Sequence, residues 1–159
     1  MTTPSATHLR VAESADAPAL VGIFAAAIRD QAPPFYTPAQ VEAWAAALTQ
    51  ERALALIADH TTTVAEVDGD VVGFATFAEP DEFDMLYVHP DHLGRGIGRR
   101  LATVVEQHAR SRGVRELRVT VSDCARLAFE SFGFRHEQPH TATIGDQSFA
   151  VTRMSKSLG

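Results

Sequence analysis

Between an apolar stretch ending at Val88 and an amphipathic stretch beginning at Ile97, the chain runs His-Pro-Asp-His-Leu93-Gly94-Arg95-Gly96-Ile97-Gly98-Arg99. Phe83 to Val88 reads as a strand. Ile97, Leu101, Val104, Val105 and His108 then recur at helical spacing, up to a stop at Gly113 with Arg110 and Arg112 in the last turn. A further strand, Leu117 to Val121, follows. Strand, crossover helix and strand of this length put the two strands parallel in one sheet, which rules out an all-helical or a purely antiparallel architecture. The glycine loop between the first strand and the helix bears on function as well. Glycines at 94, 96 and 98 remove Cβ atoms where the chain turns, so backbone N–H groups can converge on a ligand at the positive end of a helix dipole. Such a site suits an anion.

The rest of the chain supplies antiparallel partners and covering helices. Thr63 to Val67, the Asp68-Gly69 turn signal and Val71 to Ala78 read as a hairpin, and two last strands fall near Phe134 to Thr143 and Ser148 to Ser155. Asp16 as N-cap and Pro18 in the first turn open a helix carrying Leu20, Val21, Phe24 and Ile28. Thr37-Pro38-Ala39-Gln40 has the pattern of a capping box, with Val41, Trp44, Ala45 and Leu48 as the stripe to be buried. Further helices are expected over Glu51 to Ala58 and over Asp123 to Phe132, the latter stopped by Gly133. The expected class is α/β: a mostly antiparallel mixed sheet with a central parallel pair, flanked by helices, in a single domain over residues 1–159. At 159 residues and 45% hydrophobic the chain can bury one real core without disulfides. Cys124 is the single cysteine, which fits a reducing compartment. A net charge of −6 argues against a nucleic-acid partner. The short apolar runs and the polar start, Met1 to His8, argue against a membrane, so a cytoplasmic setting is expected.

Strand 83–88 alternates Phe83, Met85 and Tyr87 against Asp84, Leu86 and Val88, both sets apolar but for Asp84. A central strand covered on both sides should be apolar throughout, so Asp84 is the residue that folding alone does not explain. Two familiar phosphate loops do not fit. The dinucleotide fingerprint needs Gly or Ala at the position of Arg99 and glycines directly after the strand, and the P-loop needs Lys-Ser/Thr where Arg99-Arg100 stands.

Tyr87-Val88-x-Pro90 followed by Gly94-Arg-Gly96-Ile-Gly98 resembles motif A of the GCN5-related N-acetyltransferases, and Ser122 to Phe134, ending Phe-Glu-Ser-Phe-Gly-Phe, resembles their motif B. The likeness extends over most of the chain. Phe35 to Trp44 and Asp84 to Val88 are similar to a subgroup of small bacterial members. The resemblance implies the acyl-CoA N-acyltransferase fold and acetyl-CoA as cosubstrate, with no metal. It also implies a primary amine of a small molecule or peptide as acceptor, and it leaves room for a homodimer. By the same likeness Leu86, Tyr87 and Val88 line the pantetheine arm, with the Val88 N–H as oxyanion donor. Leu93, Gly94, Arg95, Gly96, Ile97, Gly98 and Arg99 hold the diphosphate. Leu93 stands where the family usually has Gln or Arg, so that contact falls to backbone N–H groups and to Arg95 or Arg99.

Acetyl transfer needs a neutral amine, a polarised thioester carbonyl and a protonated leaving thiol. An alkylammonium with a pKa of about 10.4 is neutral in roughly one molecule in two thousand at pH 7, a penalty of about 4.6 kcal/mol. Asp84 is the candidate base, and burial on its strand would raise its pKa. From an ordinary value of about 3.9, it acts better through a water relay or its field than as a direct base. The motif B tyrosine that protonates the thiolate is replaced by Phe129, and Ser122 stands where many members have Asn. Cys124, Tyr36 or a water is left to supply the proton. Tyr36, in the loop before the second helix, is also the candidate acceptor-binding residue. His136-Glu137-Gln-Pro139-His140 matches the zinc-protease pattern H-E-x-x-H, but Pro139 breaks the helix that the pattern requires. Two readings besides the transferase remain: an acyl-CoA-binding regulatory module that has lost its acid, and a dinucleotide-binding oxidoreductase.

Overall fold

The computed structural model describes residues 6–159. Residues 1–5, most of the polar start, lie outside the described residues. The strands are β1 (Thr7–Val11), β2 (Thr61–Val67), β3 (Asp70–Ala78), β4 (Glu82–Val88), β5 (Glu116–Ser122), β6 (Arg135–Ile144) and β7 (Gln147–Ser157). The helices are α1 (Ala17–Gln31), α2 (Pro38–Ala45), α3 (Gln50–Asp59), α4 (Ile97–Ser111) and α5 (Arg126–Ser131). Among the described residues one sheet holds the strands in the order β1-β2-β3-β4-β5-β7-β6, antiparallel except for the β4–β5 pair. The expected mixed sheet with its central parallel pair is therefore present.

Local chemistry accounts for most boundaries. Asp68 and Gly69 both take positive φ, 54° and 83°, as a two-residue hairpin turn requires. Thr37 accepts the Gln40 N–H and Gln40 returns its side-chain oxygen to the Thr37 N–H, closing the capping box that starts α2. Asp16 departs from expectation. It occupies the N-cap position of α1 without capping it, and its carboxylate instead accepts the Glu13 N–H and two Arg10 N–H bonds. Helix α5 starts at Arg126, later than the expected Asp123.

The sheet separates two cores. On one face α4 contributes Ile97, Leu101, Val105 and Ala109, packed against Ala75, Phe77 and Phe83 with Phe129 and Phe134. On the other, Leu20, Phe24 and Ile28 of α1 meet Val64, Phe74 and Phe149, with α2 and α3 alongside. Alternation along β2 and β3 explains the split, because Val64 and Phe74 face α1 whereas Ala65 and Ala75 face α4.

That alternation fails on β4, and the expected faces are corrected accordingly. Ala75 pairs with Leu86 but Phe77 pairs with Phe83, so one residue of β3 lies opposite Asp84 and Met85 together. This is a β-bulge. It puts Phe83 on the α4 face with Leu86 and Val88, opposite Met85 and Tyr87, rather than on one face with them.

Candidate active site

β4 and β5 pair only at Glu82 and Arg118, where the Arg118 N–H donates to Asp81 O at 2.9 Å. Arg153 of β7 ties that closed end by donating to Glu82 at 2.9 Å and to Thr120 at 2.6 Å. Beyond it the strands part, and Phe129 of α5 fills the α4 face at the fork, its ring 5.1 Å from Phe83 and 5.4 Å from Phe134. The opening is a cavity of about 800 Å³ walled by residues 83–88 on one side and 119–122 on the other. Two strand edges that would normally bond each other therefore face an open space. Since the His89 N–H donates to Val72 O of β3 at 2.8 Å, strand alternation turns the Val88 N–H the other way, into the cleft.

The glycine loop closes one end of this space. Gly94 and Gly96 have φ of 75° and 78°, a left-handed backbone that other residues adopt only under strain, and nothing lies within 4 Å of a Cβ built on either. Gly96 is the N-cap of α4, and its carbonyl accepts the Arg100 N–H at 3.1 Å. The N–H groups of Ile97, Gly98 and Arg99 come before that first bond and have no acceptor within the helix. Gly94, Gly96, Ile97 and Gly98 all line the cavity. Residues 89–100 hold Arg95, Arg99 and Arg100 against Asp91 as the sole acid, a locally basic stretch in an acidic chain.

The expected site residues divide into two groups. Leu86, Val88, Leu93, Gly94, Gly96, Ile97 and Gly98 meet along one wall. The side chains of Arg95 and Arg99 are not on it. Arg95 lies 3.4 Å from the His92 ring nitrogen, and Arg99 reaches Ser131 and sits over the Phe132 ring at 5.3 Å. Tyr87 lines the cavity from the α1 face, its ring 4.7 Å from Phe24, and burial pushes its hydroxyl pKa well up.

Asp84 also lines the cavity, but its side chain is exposed instead of buried. The cause is the bulge together with the missing β5 partner, which leave β4 uncovered where Asp84 projects. Tyr36, expected as an open loop residue, is 8% exposed. Its hydroxyl donates to Ala150 O at 2.8 Å and accepts the Asp123 N–H at 3.0 Å, so it ties the loop before α2 to β7 and to the end of β5. Trp44, expected in the core, is half-buried on the cavity wall. Cys124 lines the same cavity just after β5, Sγ 3.0 Å from Ser122 Oγ, and burial raises its thiol pKa. Arg52 and Phe149 also line the cavity. Neither stands out in the sequence, because they reach the site from α3 and β7 by tertiary packing.

The sequence pattern of the acetyltransferase (GNAT) domain family matches residues 32–158. The chain belongs to the GNAT acetyltransferase family. The uncharacterised N-acetyltransferase YafP of Escherichia coli K12 is 30% identical over 128 residues, 80% of this chain and 81% of YafP. A GCN5-related N-acetyltransferase of Rhodopseudomonas palustris is 37% identical and superposes with a TM-score of 0.92 over 99% of each chain. The L-amino acid N-acyltransferase MnaT of E. coli K12 is 37% identical over 65 residues, 36% of this chain and little over a third, 38%, of MnaT.

Against the GNAT pattern, Phe129 is the departure that matters for chemistry. It is 5% exposed and packs its ring on Phe83, Phe132 and Phe134, with no hydroxyl to offer. The H-E-x-x-H segment lies on β6, where His136 and His140 are separated by roughly 13 Å of extended chain. His136 bonds Glu130 at 2.7 Å and Glu137 pairs with Arg118 at 3.4 Å. No helix among the described residues is long and apolar enough to cross a membrane.

Proposed function

We propose that this GNAT protein transfers an acetyl group from acetyl-CoA to a primary amine of a small molecule or peptide. One observation carries the reading: the cavity between the parted strands β4 and β5 runs into the free N–H groups at the start of α4. Those N–H groups and the helix dipole suit the diphosphate of the cofactor. The free edge of β4 suits the amide groups of its pantetheine arm, which would add to the sheet as a strand does. The Val88 N–H then faces the thioester oxygen and stabilises the oxyanion as the amine attacks. Arg95 and Arg99 do not line the cavity but lie against His92 and Phe132, which do, so the backbone donors hold the diphosphate and the two guanidinium groups flank it.

Asp84 favours the approach of the ammonium and takes up its proton by way of water. The exposure of its carboxylate fits a relay to solvent better than a buried direct base. For the leaving thiolate, the Tyr36 proton is committed to Ala150 O. The Cys124 thiol is held protonated by burial and lines the same wall, which makes it the better donor. MnaT acts on L-amino acids, and a free amino acid falls within the proposed acceptor class. A cytoplasmic setting is proposed on the lone, unpaired thiol of Cys124.

Release of free CoA thiol with an amine panel tests the reading. Asp84→Asn is expected to lower turnover by about 10²-fold or more, with CoA affinity by titration calorimetry unchanged. Unchanged turnover removes Asp84 from the mechanism. The buried Phe129 ring favours one second reading, an acyl-CoA-binding module without transferase activity. CoA binding with no thiol release from any amine would select it.

A further inference from the structure

Two charged side chains of the cavity wall have no ionic partner among the described residues. Asp84 projects from the bulge of β4. Arg52 projects from the first turn of α3, its guanidinium donating to the Ala47 carbonyl with its other N–H groups left over. Asp84 is the sole carboxylate on the wall. The α1 side of the same cavity presents hydrocarbon and aromatic surface, chiefly from Phe24, Ile28, Trp44, Leu48, Tyr87 and Phe149. A largely apolar cavity lined by one cation from α3 and one anion from β4, neither with an ionic partner among the described residues, is complementary to a small zwitterion with a hydrophobic body.

We propose that the acceptor is a hydrophobic α-amino acid. Arg52 holds its carboxylate, Asp84 draws its ammonium toward the thioester, and the aromatic wall takes its side chain. This rests on the transferase reading above and narrows it. Polyamines and aminoglycosides need several carboxylates at the site, and the acidic residues that give the chain its net charge of −6 lie elsewhere, Asp84 excepted. In the step itself the amine nitrogen bonds the thioester carbon as the C–S bond breaks. Of the three ammonium protons, one stays on the amide, one balances the CoA thiol and one is released to solvent.

The test uses the purified full chain with acetyl-CoA and follows thiol release with L-phenylalanine, L-leucine, their decarboxylated amines (2-phenylethylamine and isopentylamine) and spermidine. The amino acids are expected to show kcat/KM about tenfold or more above the decarboxylated amines and spermidine. Arg52→Gln, an exposed change that the fold tolerates, should lower kcat/KM for phenylalanine about tenfold, mainly through KM. It should leave 2-phenylethylamine and the KM for acetyl-CoA within about twofold. An equal loss on both acceptors, or a wild-type preference for an acceptor lacking the carboxylate, overturns the proposal. Turnover of spermidine in preference to the amino acids overturns it while the transferase reading stands. No thiol release from any acceptor, by protein shown to bind acetyl-CoA, overturns both.

Discussion

Arg10 joins three parts of the molecule with one guanidinium. It donates to both Asp16 oxygens, at 2.8 and 2.9 Å, and through Nε to Glu66 on β2. Asp16 is 7% exposed and also accepts the Glu13 N–H, so β1, β2 and the entry to α1 meet at a nearly buried carboxylate. The Arg10 hydrogen bonds, with the backbone bond adding to them, hold the Asp16 pKa below its usual 3.8. A carboxyl whose pKa is depressed by folding contributes stability above its unfolded value and loses it as pH falls through the folded one. Asp16→Asn is therefore expected to lower unfolding free energy by about 2 kcal/mol at pH 7. The gap to wild type should begin to narrow at about pH 3.8, the unfolded value, and shrink further as pH falls through the lower folded value. Urea unfolding of both proteins at pH 7 and pH 3 measures it, and a gap independent of pH refutes the assignment. Tyr36 shows the same economy of contacts, since one hydroxyl fixes two backbone segments beside the cavity.

At the scale of elements, the glycine loop and the bulge of β4 do different work. The loop needs left-handed backbone at Gly94 and Gly96 but not at Gly98, where a Cβ would meet Val88 and Leu86 side chains at an ordinary 3.9 and 4.0 Å. Gly96→Ala is thus expected to cost about 1–2 kcal/mol of strain and to weaken CoA binding as the N-cap shifts. Gly98→Ala lies in a helical turn. It should be neutral or stabilising by up to about 1 kcal/mol, with CoA affinity within about twofold. Thermal melts with calorimetric titrations separate the two, and equal effects would argue against a conformational role for Gly96. The bulge acts on side-chain placement instead of backbone strain: if the same residues paired regularly with β3, Phe83 and Asp84 would exchange faces, which moves the ring out of the α4 core.

On the scale of the whole molecule, the proposed function depends on a sheet that is incomplete in its middle. The Arg118 and Arg153 contacts clamp one end of the β4–β5 pair and the phenylalanine cluster fills the fork, so the gap is built into the fold. A ligand that occupies it ties the two halves of the sheet together, and only the folded chain offers that site. Acetyl-CoA or CoA at about 100 times its Kd should therefore add about 2.7 kcal/mol to unfolding free energy. For a chain of this size that is a rise in Tm of roughly 5–10 °C. A dinucleotide such as NAD should leave Tm unchanged. A thermal shift with NAD and none with CoA would reverse the assignment of the cavity.

How much of this was legible in the residues depends on the range of the forces involved. Capping boxes, hairpin turns and hydrophobic periodicity act within a few residues, so the sequence by itself determined nearly every element, the parallel crossover and the glycine loop. It also marked Asp84 as the odd residue of its strand. What only the tertiary structure decided is which side chains share a space. The bulge follows from β3 and β4 competing for register, and it overturned both the simple alternation of β4 and the burial expected of Asp84. The parting of β4 from β5 turns a covered central strand into a cleft wall. Helix α3 and strand β7, remote along the chain, bring Arg52 and Phe149 to that wall. Such placements are set by packing among distant segments, a balance of many weak contacts that no local pattern records.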